Sequence, residues 1–236
     1  MKGGMLRLLR QWQRRRLSFC RAVVFWLILF SVQSFGCYGQ QQKDASMQRK
    51  TSERQNQASE QLGKALEYFG SQKYHECLMI MQELDKNYRL NPRYKAYLGL
   101  CYYYEWDYGN AVKYLDEAIP SLDNFSPHER SLYYWADAES YFNQGKYAEA
   151  IPLYQAMLPL CYDKEKPDAH YRLGFCHLFA EDWVNAWNEW LKAKEGYEKY
   201  RNTPDMKARI AQVNHMLDGL KPKVVGWVID DLLKRY

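Results

Sequence analysis

The stretch Tyr141-Phe-Asn-Gln-Gly-Lys-Tyr-Ala-Glu-Ala150 decides how this chain folds, because its pattern occurs three more times. The other copies are Tyr68-Phe-Gly-Ser-Gln-Lys-Tyr-His-Glu-Cys77, Tyr102-Tyr-Tyr-Glu-Trp-Asp-Tyr-Gly-Asn-Ala111 and His177-Leu-Phe-Ala-Glu-Asp-Trp-Val-Asn-Ala186. Each opens on an aromatic or His, places an aromatic six residues on, and places a small residue three further along. The second aromatics, Tyr74, Tyr108, Tyr147 and Trp183, lie 34, 39 and 36 residues apart. A period in the mid-thirties is that of a helix–turn–helix repeat, two helices that bury their apolar faces only by stacking on neighbours. No strand-like alternation of any length follows Leu62, and the apolar positions recur at helical spacing to the C-terminus. The fold class is therefore all-α.

The residues around these segments keep the same register. Three positions before the first aromatic stands a small residue (Ala65, Gly99, Ala138, Gly174), and four after the last small one stands a large residue (Met81, Leu115, Tyr154, Trp190). Small residues let the first (A) and second (B) helix of a repeat approach closely, while large ones fill the space around that contact. This set resembles the tetratricopeptide repeat (TPR) family, most clearly in Leu98-Gly99…Tyr102…Tyr108…Ala111…Leu115…Ala118 and Leu173-Gly174…Trp183…Ala186…Trp190…Ala193. The resemblance covers roughly residues 58–200. It implies a right-handed superhelix of about four TPR-like helix–turn–helix repeats. The first copy departs from the pattern with Cys77 in place of Ala and no Gly in its turn, and the third has Asp137 where Leu is common.

Helix punctuation agrees. Pro92, Pro127, Pro167 and Pro204 follow one another at intervals of 35, 40 and 37, each just before an apolar-periodic run. Proline suits the first helical position, where its missing N–H leaves no bond unmade. Asn91, Ser126 and Thr203 are the expected N-caps, and Ser126-Pro-His-Glu129 reads as a capping box. Pro120 and Pro159 are expected to end the second and third B helices early, and Pro152 to sit near the start of a B helix. Residues 201–236 read as two capping helices, one with the stripe Met206, Ile210, Val213, Leu217 and a second from Pro222 to Tyr236. A solenoid needs its last repeat covered.

The N-terminal region is of another kind. The whole chain carries 33 basic and 28 acidic residues, a net +5. Residues 1–39 hold seven of the basic residues and no acidic one, so the remainder is net −2. A nucleic-acid partner needs a basic face on the folded domain, and that balance argues against one. The arginine-rich start, the apolar run from Ala22 to Phe30 and the small residues after it read residues 1–39 as a signal peptide or membrane anchor. Cleavage before Gln40, lipidation at Cys37 and retention as an anchor are the three fates, and each puts the folded part outside the cytoplasm, in the periplasm or cell envelope. Membrane contact is then expected only through that segment. Residues 40–57, almost devoid of apolar side chains, read as a disordered polar linker.

The resemblance also implies where a partner would sit. Such repeats bind on the concave face lined by A helices, which the register assigns to Tyr97, Tyr103, Tyr104, Trp135, Phe142, Tyr171, Arg172, Phe175 and Phe179. An aromatic, mostly uncharged groove suits an apolar or amphipathic peptide, and rings can alternatively stack on the sugars of a cell-wall glycan. The competing reading is that these rings pack on neighbouring repeats or under the C-terminal helices. Four cysteines fall in the repeat region, and Cys77 and Cys101 sit on successive antiparallel helices where a disulfide can form in an oxidising compartment. Cysteine is equally a small core residue. No HExxH, serine-nucleophile or phosphate-loop motif is present and the histidines are scattered, so no enzyme activity, metal or cofactor is expected. The expected function is an exported scaffold that holds a protein or peptide, with a glycan-binding envelope protein as the alternative.

Overall fold

The computed structural model describes residues 47–235, with backbone only at residue 228 and residues 230–235. The expected signal peptide or anchor, Cys37 and residues 40–46 lie outside the described residues. Two compact units divide after Glu60. In the first, the described residues 47–60 are helical and almost entirely exposed. The part of the expected linker that is described, 47–57, is helical. The composition that offers nothing to bury includes Gln48, Arg49, Lys50, Glu53, Arg54, Gln55 and Gln57 and is free of Gly and Pro, which favours helix without a core.

In the second unit every described element is a helix or a helical turn. The first helix of this unit, α1, covers residues 61–70. There follow α2 (Tyr74–Asn87), α3 (Pro92–Tyr104), α4 (Tyr108–Ala118), α5 (Pro127–Asn143), α6 (Tyr147–Met157), α7 (Lys166–Phe179), α8 (Trp183–Tyr200) and α9 (Lys207–Arg235). Odd-numbered helices from α1 to α7 are the A helices of four repeats, and the even-numbered ones are the B helices. Each packs on the next in chain order from α2 to α9.

The repeated decapeptide is the A–B turn itself. In each copy its first residue gives the carbonyl that accepts an N–H five residues later: Lys73 to Tyr68, Asp107 to Tyr102, Lys146 to Tyr141 and Asp182 to His177. This bond closes a Schellman motif, which needs a left-handed residue just before the donor. Gln72, Trp106, Gly145 and Glu181 supply it, with φ of 59°, 61°, 73° and 57°. Only the third repeat uses glycine, so the missing Gly of the first turn is replaced by Gln72 held in the same conformation. Asp107 and Asp182 then serve a second purpose, accepting the N–H of Asn110 and Asn185 as N-caps of α4 and α8.

At the A-helix starts, Asn91 Oδ1 accepts the Tyr94 N–H at 3.1 Å and Ser126 Oγ accepts the Glu129 N–H at 3.3 Å. The Glu129 carboxylate leaves its expected place in the capping box. It instead accepts from Arg93 at 2.9 Å and from the Tyr133 hydroxyl at 2.8 Å, a better match for a charged group one repeat away. Pro167 occupies the second rather than the first position of α7. Thr203 makes no side-chain cap, and Pro204 opens a short 3-10 turn, Pro204–Met206, instead of a full helix. The shortened B helices are seen: α4 stops at Ala118 ahead of Pro120, and α6 at Met157 ahead of Pro159.

Close approach of A and B helices follows the small–large register. A Cβ placed on Gly99 would lie 2.7 Å from Leu115 Cγ, and one on Gly174 would lie 2.2 Å from Trp190 Cδ1. Trp190 cannot retreat easily, because it is buried and its indole N–H donates to the Tyr171 carbonyl at 3.1 Å. Gly174→Ala is therefore expected to destabilise the domain by about 1–3 kcal/mol, read as a lower urea midpoint. An unchanged midpoint would show that the A–B contact has slack.

The C-terminal region is one helix, not the two expected on either side of Pro222. Proline removes a single i→i−4 bond, while Val213, Leu217 and Leu220 before it and Val224 after it form one face packed on the fourth repeat. That shared face carries the helix through the proline. It covers Trp190, Ala193 and Tyr197, so α9 takes the place a fifth A helix would have.

Candidate functional site

The A helices all run in one direction, so their C-terminal ends and the A–B turns line one edge of the stack. Aromatic rings concentrate there, and most are engaged with one another. Tyr74, at the start of α2, stacks on Tyr104 at the end of α3 with centroids 3.9 Å apart. Tyr147, at the start of α6, stacks in the same way on Phe179 at the end of α7, at 4.4 Å. The next equivalent ring, Trp183, has no further repeat beyond it. Lys223 of α9 covers it instead, its ammonium 3.7 Å from the ring centre.

The nine residues assigned to the concave face are placed as follows. Tyr97 meets Phe69 and Tyr133 edge-on, bridging three repeats. Tyr103 lies against Tyr104 and Tyr108 and has its hydroxyl pushed up to about 12 by burial. Trp135 is edge-on to Tyr154, and Phe142 is edge-on to Tyr147 with the Arg172 guanidinium over its face at 4.7 Å. Phe175 contacts Tyr171, Phe179 and Trp190. Tyr171 is buried, with Arg209 of α9 above its ring at 4.3 Å. Tyr104 and Phe179 remain open, at 44% and 53% exposure.

Arg172 is committed to the fold. Its Nε and Nη2 each contact a Glu139 carboxylate oxygen at 2.7 Å, and the Tyr154 hydroxyl donates to the same carboxylate at 2.5 Å. Glu139 is buried, which pushes its pKa up, and the arginine and tyrosine offset that shift in part. Asp137, two residues before it, is fully buried and neither carboxyl oxygen has a hydrogen-bond partner of ordinary geometry. Burial, reinforced by the nearby Asp116 carboxylate, pushes Asp137 up to about 9. Cys77 and Cys101 are buried free thiols in this structure.

No protein-family model and no curated protein matches the chain. Solved structures do. MamA residues 41 to the end from Desulfovibrio magneticus RS-1 superposes with a TM-score of 0.53 at 16% identity, over 75% of this chain and 95% of that one. The apo form of RapI superposes at 0.54 with 12% identity, over 76% and 68% of the two chains. At these identities the likeness is one of fold, and both are TPR-like helical repeat proteins.

The chain has a TPR-like superhelical repeat fold.

Within a TPR-like stack, a large exposed residue in an A–B turn needs a reason beyond packing. Trp106 is such a residue, 79% exposed and with the left-handed φ that the third repeat assigns to Gly145. It stands two residues beyond Tyr104, on the edge that also carries Phe179. The concave-face projection passed over it because it belongs to no helix. Its signal in the sequence was a tryptophan at the turn position equivalent to Gly145.

Proposed function

We propose that this chain is an exported scaffold in the periplasm or cell envelope, and that its TPR-like stack holds a protein or peptide partner along the A–B turn edge. The observation that carries the reading is Trp106. Every A–B turn needs a left-handed residue here, at a penalty of roughly 1–2 kcal/mol for a side chain with a Cβ, but only in the second repeat is that residue a tryptophan, and its indole is left in water. Strained and exposed positions of this kind concentrate at binding sites, and tryptophan is the side chain most enriched among interface anchors. Tyr104 and Phe179 extend the same surface, each held by a stacked ring from the preceding B helix. The TPR-like fold supports a protein-binding scaffold. The export half rests on the arginine-rich start and apolar run of residues 1–39.

The test is site-specific photo-crosslinking in cells. A photoreactive side chain at position 106 or 104 is expected to trap one protein species, and the same group at the exposed Gln155 is not. No crosslink at either edge position, together with co-sedimentation of the domain with isolated cell-wall glycan, would replace the scaffold with the glycan-binding reading. Trp106→Gly separates binding from folding. Glycine relieves the left-handed strain, so stability should hold or rise by up to about 1 kcal/mol, while crosslinking from position 104 falls several-fold. A drop in melting temperature with unchanged crosslinking would assign Trp106 to the fold instead.

A further inference from the structure

Cys77 and Cys101 take no part in the edge described above, and the repeat register shows why they matter together. Cys77, in the first turn of α2, stands where the other B helices have Ala111, Ala150 and Ala186. Cys101, near the end of α3, stands where α5 has Ser140 and α7 has Cys176. In the third and fourth repeats the equivalent residues, Ala150 and Cys176, lie in one packed cluster. The same register places Cys77 of one B helix against Cys101 of the next A helix. Both are fully buried on helices that pack together. The nearness of the two thiols lowers the pKa of Cys77 and, together with burial, raises that of Cys101. The B-helix position where three repeats keep alanine thus carries a thiol in the first repeat, where it faces the Cys101 thiol of the following A helix, whereas Cys176 in the equivalent place meets Ala150.

We propose that Cys77 and Cys101 are an oxidisable pair that closes to a disulfide joining α2 to α3 as the chain folds in an oxidising compartment. This rests on the export reading. The chemistry is exchange with an oxidised dithiol carrier or a small-molecule disulfide, R–S–S–R. The Cys77 thiolate attacks one sulfur, forming a mixed disulfide and releasing RS⁻. The Cys101 thiol, having lost its proton to solvent, then attacks the Cys77 sulfur and releases the second RS⁻. Two protein thiols and one disulfide become one protein disulfide and two RSH. Because both sulfurs are sealed in the native core, exchange happens before α2 and α3 finish docking. The placement suits the first repeat, which among the described residues has a stacked repeat on one side only. Cys161 and Cys176 fall in separate clusters and provide no such pair.

The test is refolding of the full chain in a mixture of oxidised and reduced glutathione, followed by alkylation, digestion without reductant and mass spectrometry. A linked peptide pair containing Cys77 and Cys101, 2 Da below the sum of the reduced peptides, is the expected product, with Cys161 and Cys176 alkylated after denaturation. Reduction should lower Tm by roughly 5–10 °C. Cys77→Ala, which installs the residue used by the other three repeats, should fold and lose that response. Alkylation of both Cys77 and Cys101 in the oxidised, refolded sample would overturn the pair. Trapping the thiols in cells before lysis separates the two halves of the proposal. A linked pair after refolding but free thiols in cells overturns the export reading and leaves the pairing standing.

Discussion

Asp137→Leu is expected to raise the stability of the repeat domain by about 4 kcal/mol at pH 7. The carboxyl is fully buried in α5, with no hydrogen bond of ordinary geometry and the Asp116 carboxylate beside it, at the position filled by Leu98 in α3 and Leu173 in α7. Burial and Asp116 push it up to about 9, so at neutral pH the folded chain must bind a proton that the unfolded chain has released. The sign follows directly. An acid whose folded value lies above its unfolded value leaves stability intact below about pH 4 and erodes it as pH rises toward 9. Urea midpoints for the natural chain should therefore fall between pH 5 and pH 8 by the equivalent of about 4 kcal/mol, and those of the Leu variant should fall far less. Leucine is larger than aspartate, but the equivalent positions of two other repeats already accept it. Parallel pH profiles for the two proteins would mean that Asp137 finds a partner, and the assignment of a neutral buried acid would fail.

The opposite effect is expected from Arg172→Ala, a loss of about 3–5 kcal/mol. The guanidinium makes two contacts of 2.7 Å with Glu139, which is only 4% exposed, and removing it leaves that carboxylate buried with the Tyr154 hydroxyl as its remaining donor. A second substitution, Glu139→Leu, should recover much of the loss, since an apolar replacement removes the unpaired charge. Thermal unfolding of the single and double variants checks both statements. A single variant that keeps its midpoint and loses its partner would return Arg172 to the binding surface assigned to it from the register.

These two positions also show how far the sequence could be read. The stretch from Tyr141 to Ala150 revealed its own role because the constraint is local. A helix ending, a left-handed residue and a new helix start fit within ten residues, and the Schellman bond of each turn joins residues five apart. The small residue at Gly99 or Gly174 and the large one at Leu115 or Trp190 are likewise tied together by a fixed offset within one repeat. The concave face was harder. Its nine residues fall on α3, α5 and α7, but whether a ring is free depends on its neighbour one repeat away. Tyr104 meets Tyr74 across 30 positions and Phe179 meets Tyr147 across 32, and no periodicity states which partner a ring prefers. Trp106 was missed because a helical projection does not reach a turn. The break assigned at Pro222 failed for a related reason: local chemistry argued for a stop, and a packed face shared by Leu220 and Val224 overruled it.

The sequence by itself determined the all-α class, the number and register of the repeats, the A–B contacts and the early ends of α4 and α6, because each depends on residues near one another in the chain. Only the tertiary structure decided that α9 runs unbroken along the fourth repeat, that Arg172 belongs to Glu139, that Tyr171 is covered, and that the open aromatic surface lies along the turn edge at Tyr104, Trp106 and Phe179. Those outcomes depend on which side chains of successive repeats come into contact. That is set by how the superhelix stacks, not by the spacing of residues along it.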